Sequence, residues 1–131
     1  MEIERLPLFV YGTLRPGESA FRRIALFVKD IARAVLAGAD LYDLGAYPMA
    51  LPGDGVVVGE LLTLHAETYV YALHRLDHYE GYDAQRDGGL YLRRRVTVTT
   101  AAESVAAWTY FGTPDAAADG RRIPSGDWLT K

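Results

Sequence analysis

Strand-like runs outnumber helical ones along this chain, and no strand–helix–strand alternation repeats, a pattern that points to an α+β fold. The clearest helix is Ala66 to Tyr79, where Tyr69, Leu73, Leu76 and Tyr79 recur every three or four residues. Gly81 follows, the residue that most readily takes the left-handed conformation at a helix end. A second helix is predicted from Glu18 to Val28, with Phe21, Ile24, Ala25 and Val28 on one side and Arg22, Arg23 and Lys29 between. The rest reads as strand and turn. Leu6 to Tyr11 is a buried strand ended by Gly12. Val56 to Leu64 is apolar on both faces except near Glu60. Tyr91 to Thr100 and Ser104 to Gly112 are separated only by Ala101-Ala102-Glu103, which predicts a hairpin. Residues 31–44 are ambiguous: Ala-rich Ile31 to Ala37 favours helix, while Gly38 and the alternation through Leu41 to Leu44 favour strand. Gly45-Ala46-Tyr47-Pro48 and Leu51-Pro52-Gly53-Asp54-Gly55 read as turns. The Tyr47–Pro48 bond is open between cis and trans. Trp128 is expected to pin the turn-rich tail to the body. Two helices and many strands without regular alternation mean α+β, with a strongly curved or barrel-like sheet.

A chain of 131 residues is expected to be one domain, 1–131. The formal net charge of -3 argues against a nucleic-acid or anionic-membrane surface. No cysteine is present, which excludes disulfides, thiolate nucleophiles and cysteine metal sites. It also fits a reducing compartment, so a cytoplasmic protein is expected. The start, Met1-Glu2-Ile3-Glu4-Arg5, is acidic and leads into no apolar core of signal-peptide length. No apolar run approaches a membrane span. Nothing in the sequence sets an oligomeric state.

Two stretches can carry chemistry. The first is Val10-Tyr11-Gly12-Thr13-Leu14-Arg15-Pro16-Gly17. Gly12 can take a positive φ and lets another group approach the backbone. Successive N–H groups after such a turn can form an anion-binding nest, and a helix starting near Glu18 would add more. The plainer reading is a tight turn with no ligand. The second is Leu76-Asp77-His78-Tyr79-Glu80-Gly81-Tyr82. Glu80 sits at a helix C-terminus beside tyrosines, where the helix dipole and partial burial both raise a carboxyl pKa toward general acid/base range. The plainer reading is a solvated glutamate.

Other candidates are weaker. His74 and His78 are spaced i, i+4, half of a zinc-protease pattern, but Arg75 stands where that motif needs Glu. Only His65 remains to complete a metal site, so structural histidines are the stronger reading. Arg93 and Arg95 share one strand face and Arg94 the other. One of them can bind a substrate carboxylate, but pairing with surface acids is expected. No nucleophile elbow, phosphate loop or dinucleotide fingerprint appears.

Taken together, Tyr11-Gly12-Thr13-Leu14 and Glu80-Gly81-Tyr82 resemble the γ-glutamylcyclotransferase-like family. Leu41-Tyr42-Asp43-Leu44-Gly45, Tyr47-Pro48, Val58-Gly59-Glu60-Leu61, Leu76-Asp77, Tyr91-Leu92-Arg93, Tyr110 and Gly126-Asp127-Trp128 look similar in order and spacing. The compact length looks like the AIG2-like branch that includes γ-glutamylamine cyclotransferases. The resemblance implies a small mixed β-barrel with two main helices packed outside, and hence strand over 31–44. It implies ring closure of a γ-glutamyl amine or peptide to 5-oxoproline, in which the substrate's own α-amine is the nucleophile. No cofactor or metal is then needed. Glu80 matches the family's catalytic glutamate. Tyr11, Gly12, Thr13 and Leu14 match its substrate loop, and Tyr110 is expected to orient the substrate. Residues 83–90 and 113–122 are expected to frame the leaving amine. A non-catalytic module binding a small carboxylate or amine in the same pocket is the alternative. A metal hydrolase using His74 and His78 is a third reading.

Overall fold

The architecture grows from one long hairpin. In the computed structural model, which describes residues 3–131, β2 (Val28–Asp43) and β3 (Pro48–Leu64) pair antiparallel from Val28↔Leu64 to Asp43↔Pro48. Met1 and Glu2 of the acidic N-terminal stretch lie outside those residues. The other strands are β1 (Leu8–Val10), β4 (Tyr82–Asp83), β5 (Gly88–Gly89), β6 (Leu92–Thr99), β7 (Ser104–Phe111) and β8 (Arg121–Arg122). β1 pairs antiparallel with β3 and parallel with β7 at Leu8↔Trp108. β6 and β7 form the expected hairpin, and β6 meets β2 at Val35↔Thr99. Strands β1, β7, β6, β2 and β3 thus close on themselves, and the single parallel pairing makes the barrel mixed. β8 extends β2 at Tyr42 and Asp43, and β4–β5 is a separate small hairpin.

The long strands bend because their ladder is interrupted. Register shifts fall between Val28 and Asp30 and between Ala37 and Ala39. Gly38 between the latter pair has φ +83, and such bulges sharpen local twist and let a sheet curl. Ala37 faces Val56 while Ala39 faces Pro52, so Gly53, Asp54 and Gly55 bow out within β3. The predicted turn at Leu51–Gly55 is therefore a kink inside a continuous strand. The Tyr47–Pro48 bond is trans.

Alternation divides the core. Phe9, Leu36, Val57, Leu61, Val98 and Ala107, from all five barrel strands, gather in the interior with Trp128 from the tail. Leu8, Val10, Met49 and Leu62 face outward and pack beneath Tyr69, Leu73 and Leu76 of α1 (Tyr69–Glu80). Ala34 and Ala39 are almost wholly buried inside the barrel. Small side chains at this interior resolve residues 31–44 as strand, against their helix propensity.

The second predicted helix is absent. Glu18–Val28 contains two single 3₁₀ turns, Phe21–Arg23 and Ala25–Phe27. Ile24 is buried but Leu26 is 90% exposed, so no continuous apolar face exists to hold a longer helix. The chain must also enter β2 at Val28, and His65 N–H donates to the Phe27 carbonyl at 2.8 Å to fix that entry.

Candidate active site

A pocket of about 430 Å³ lies between the end of β1, the end of α1 and the loop before β6. Tyr11, Gly12, Thr13, Leu14, Glu80 and Tyr110 all line it. The structure thus brings together every site residue expected from the sequence.

The loop after β1 is a turn closed by Arg15 N–H donating to the Gly12 carbonyl at 3.0 Å. The Thr13 carbonyl accepts from Ala20 N–H at 3.0 Å. The N–H groups of Gly12, Thr13 and Leu14 donate to no acceptor among the described residues. Three consecutive free amides are the donor set of an anion nest. Two expectations about this loop are corrected. Gly12 does not have a positive φ. Its lack of a side chain matters because a Cβ there would lie 2.6 Å from Pro48 Cγ and 2.8 Å from Cδ. In addition, no helix N-terminus follows, since the downstream segment holds only 3₁₀ turns.

Arg15 anchors the loop from below. It is 2% exposed, and its guanidinium grips both Glu60 carboxylate oxygens, at 2.7 and 2.8 Å, and Asp127 Oδ1 at 2.8 Å. The hydrogen bond to Glu60, against the opposing effect of burial, holds the Arg15 pKa above its ordinary value. Burial would raise Asp127, but hydrogen bonds from Arg15 and the Leu129 N–H outweigh it, and the carboxyl falls below its usual range. A bidentate pair plus a third acceptor fixes the loop to β3 and to the tail at once. No local signal marked Arg15 for this role; it was seen only as part of the loop.

Of the five tyrosines that line the pocket, the three buried ones, Tyr11, Tyr91 and Tyr110, have their hydroxyls engaged within the protein. Tyr11 Oη accepts from Ala50 N–H at 3.2 Å and donates to the Tyr110 carbonyl at 2.5 Å. Tyr110 Oη donates to Asp77 Oδ1 at 2.6 Å. Asp77 in turn accepts from Arg93 Nε at 2.9 Å and from its Nη2 at 3.3 Å. Tyr91 Oη donates to the Pro48 carbonyl at 2.8 Å. Burial pushes all three phenols above their ordinary pKa, so they stand as neutral, rigid walls. Tyr91 and Pro48 were not foreseen as pocket residues, although both lay within motifs that carried the family resemblance.

Glu80 is the last residue of α1, which Gly81 stops at φ 69. Its carboxyl is half-buried in the pocket wall. Burial pushes its pKa up to about 7, and no cation or hydrogen-bond donor among the described residues offsets that burial. A carboxyl poised near neutrality can both accept and return a proton.

The weaker candidates resolve by geometry. His74 and His78 are exposed on α1, and among the described residues no cluster of three His, Cys, Asp or Glu side chains is placed to hold a metal ion. Arg94 pairs with Asp87 and Arg95 with Glu4 at the surface, while Arg93 pairs with buried Asp77. Of the two segments expected to frame the leaving amine, Leu90 of the first reaches the pocket, and residues 113–122 do not line it. No helix among the described residues is long and apolar enough to cross a membrane.

Residues 8–130 match the model of the family described as γ-glutamyl cyclotransferase, AIG2-like. Over 128 residues the chain is 34% identical to the γ-glutamylcyclotransferase family protein YtfP of Escherichia coli strain K12, covering 95% of this chain and 96% of that protein. Among solved structures, YkqA from Bacillus subtilis is similar, with a TM-score of 0.70 and 26% identity over 95% of this chain and 40% of that one. An AIG2-like protein from Mus musculus shares the fold, with a TM-score of 0.68 and 22% identity over 91% of this chain and 86% of that one.

Proposed function

This chain belongs to the AIG2-like γ-glutamyl cyclotransferase family, and from that premise we propose that it cyclises a γ-glutamyl amine or peptide to 5-oxoproline, releasing the free amine. What supports this reading is one juxtaposition. Glu80, an unpaired carboxyl with a pKa of about 7, shares a pocket with the three free amides of Gly12, Thr13 and Leu14.

The reaction needs no nucleophile from the protein. The substrate's α-amine attacks its own γ-carbonyl, so folding the glutamyl chain back supplies several kcal/mol of the barrier. Glu80 takes the proton from the α-ammonium and later gives it to the leaving nitrogen. The loop amides bind the α-carboxylate or the tetrahedral oxyanion, and Arg15 keeps them in place beforehand. The aromatic wall of Tyr11, Tyr91 and Tyr110 excludes water and positions the glutamyl methylenes. Glu80 and the loop thus fill every role without a metal or cofactor.

The test is a panel of γ-glutamyl amines and γ-glutamyl amino acids scored for 5-oxoproline. Wild type releases it from some members, and Glu80→Gln loses roughly 10²-fold or more in kcat while still binding the same compounds. Binding without 5-oxoproline from any member points instead to a non-catalytic module. Full turnover by folded Glu80→Gln removes Glu80 from the mechanism.

A further inference from the structure

Asp77 is a buried carboxylate that the reaction above does not use. It is 6% exposed and stands one turn before Glu80 on α1, so the two side chains are neighbours on the helix surface. Arg93 Nε donates to Asp77 Oδ1 at 2.9 Å and Arg93 Nη2 to Oδ2 at 3.3 Å, while Tyr110 Oη donates to Oδ1 at 2.6 Å. Two rings hold the Arg93 guanidinium in turn. It lies 4.7 Å from the ring centre of Trp108 on β7 and 5.4 Å from that of Tyr82 on β4. One ion pair thus joins the last turn of α1 to β4, β6 and β7. Ion pairs buried this deeply seldom stabilise a fold more than apolar packing of the same volume does, so stability alone does not explain it.

Its place beside the pocket does. Tyr110 lines the pocket, whereas Asp77 and Arg93 do not. Burial raises the Tyr110 phenol most, the Asp77 carboxylate raises it further, Arg93 opposes this and Glu80 adds to it. Tyr110 therefore stands within electrostatic reach of both the pair and Glu80. The other titratable groups of the pocket wall are the phenols of Tyr11, Tyr47, Tyr79 and Tyr91, and no cation among the described residues lines it. Past Tyr79, the exposed Arg23, Arg75 and His78 line a separate hollow. Beneath the loop, Arg15 is engaged by Glu60 and Asp127. On the hairpin after α1, Asp83 pairs with Arg86 and Asp87 with Arg94 at the surface. A bare charge at position 77 or 93 would therefore act on Glu80 across buried protein with little to cancel it.

We propose that Asp77 and Arg93 are positioning residues for Glu80: their pair ties the helix end that carries Glu80 to the barrel, and its two charges cancel beside the proton-carrying carboxyl. This rests on the reading of Glu80 as the proton carrier. Neither residue touches substrate. An aspartate alone would oppose the ionised form of Glu80, and an arginine alone would hold Glu80 ionised. The pair does neither, so the carboxyl can take a proton and give it back at neutral pH.

NMR titration of carboxyl-labelled glutamates tests this without a substrate, the Glu80 signal being the one that Glu80→Gln removes. Asp77→Asn leaves the Arg93 cation alone and lowers the Glu80 midpoint by roughly half a pH unit or more, the scale of one uncompensated charge on the order of 10 Å away in a partly wet protein. Arg93→Met leaves the Asp77 carboxylate alone and raises the midpoint by a similar amount. The double variant, Asp77→Asn with Arg93→Met, returns it to the wild-type value. Arg93→Lys keeps the charge and holds the midpoint there too. A merely structural pair gives a different pattern: loosened packing wets Glu80 and lowers the midpoint in every variant, the double most of all. A midpoint that falls in Arg93→Met and in the double variant, or that moves in neither single variant, overturns the proposal. Arg93→Met or the double variant decides alone if the others do not fold. Where a γ-glutamyl conjugate of the panel yields 5-oxoproline, the acidic limb of kcat/KM moves with the midpoint. If none does, the cyclisation reading fails, and the NMR midpoints still decide whether the pair balances charge at Glu80.

Discussion

Replacing Glu80 by glutamine gives a stability test that does not depend on knowing the substrate. The folded protein raises the Glu80 carboxyl from its ordinary value of 4.5 to about 7 through burial. That displacement corresponds to about 3 kcal/mol, or about 2 kcal/mol once solvent in the open pocket is allowed for. The fold binds the proton more tightly than the unfolded chain does. The stabilising contribution is therefore complete below the unfolded value and is lost as pH rises through about 7. Glutamine never ionises, so the variant lacks this loss. Urea denaturation of both proteins from about pH 4 to about pH 8 reads the effect as a difference, which cancels the titration of every other group. The variant should gain on wild type by about 2 kcal/mol across that range, with most of the change between pH 5 and 7. The same group, ionised as the base, should set the acidic limb of kcat/KM near pH 7. A stability difference that stays flat with pH would refute the burial argument, and with it the poised carboxyl.

Gly12→Val places a side chain where Pro48 already sits 2.6 Å from the Cβ position; it should cost about 1–3 kcal/mol in denaturant melts and raise KM, because the free amides shift with it. Arg15→Met leaves the Glu60 and Asp127 carboxylates without their shared cation; a loss of about 3 kcal/mol is expected by urea titration, together with weakened substrate binding by calorimetry. Turnover should survive exhaustive chelation, since Glu80 and the loop supply every proposed role; activity lost to a chelator and restored by one metal would contradict this.

How much of this was legible in the sequence depends on the range of the interactions involved. Glu80 was readable because its helix, its stop at Gly81 and its tyrosine neighbours are all local. Burial is the cause of its raised pKa. The Glu18–Val28 segment misled for a geometric reason. Phe21, Ile24, Ala25 and Val28 fit the α-helical spacing, but over so short a stretch the three-residue step from Phe21 to Ile24 fits the 3₁₀ period equally well. Residues 31–44 were ambiguous from their residues alone because alanine favours helix in isolation, whereas Ala34 and Ala39 serve here as small side chains in a crowded barrel interior; the expectation of strand that came with the family resemblance is what the structure has.

Arg15, Glu60 and Asp127 could not be joined by any local rule, because 45 and 112 residues separate the arginine from its two acids. The consequence for the site is physical. Free amides stabilise an oxyanion only if they need not reorganise to meet it. On one side of the loop Pro48 fills the space beside Gly12. On the other, a buried guanidinium ties the next turn to β3 and the tail. The Gly12, Thr13 and Leu14 amides lie between these two restraints and have no partner among the described residues, so in the proposed mechanism the donors are set before a substrate arrives. Loosening either restraint should therefore weaken the proposed cyclisation even though that mechanism gives neither Pro48 nor Arg15 a part in the proton transfers.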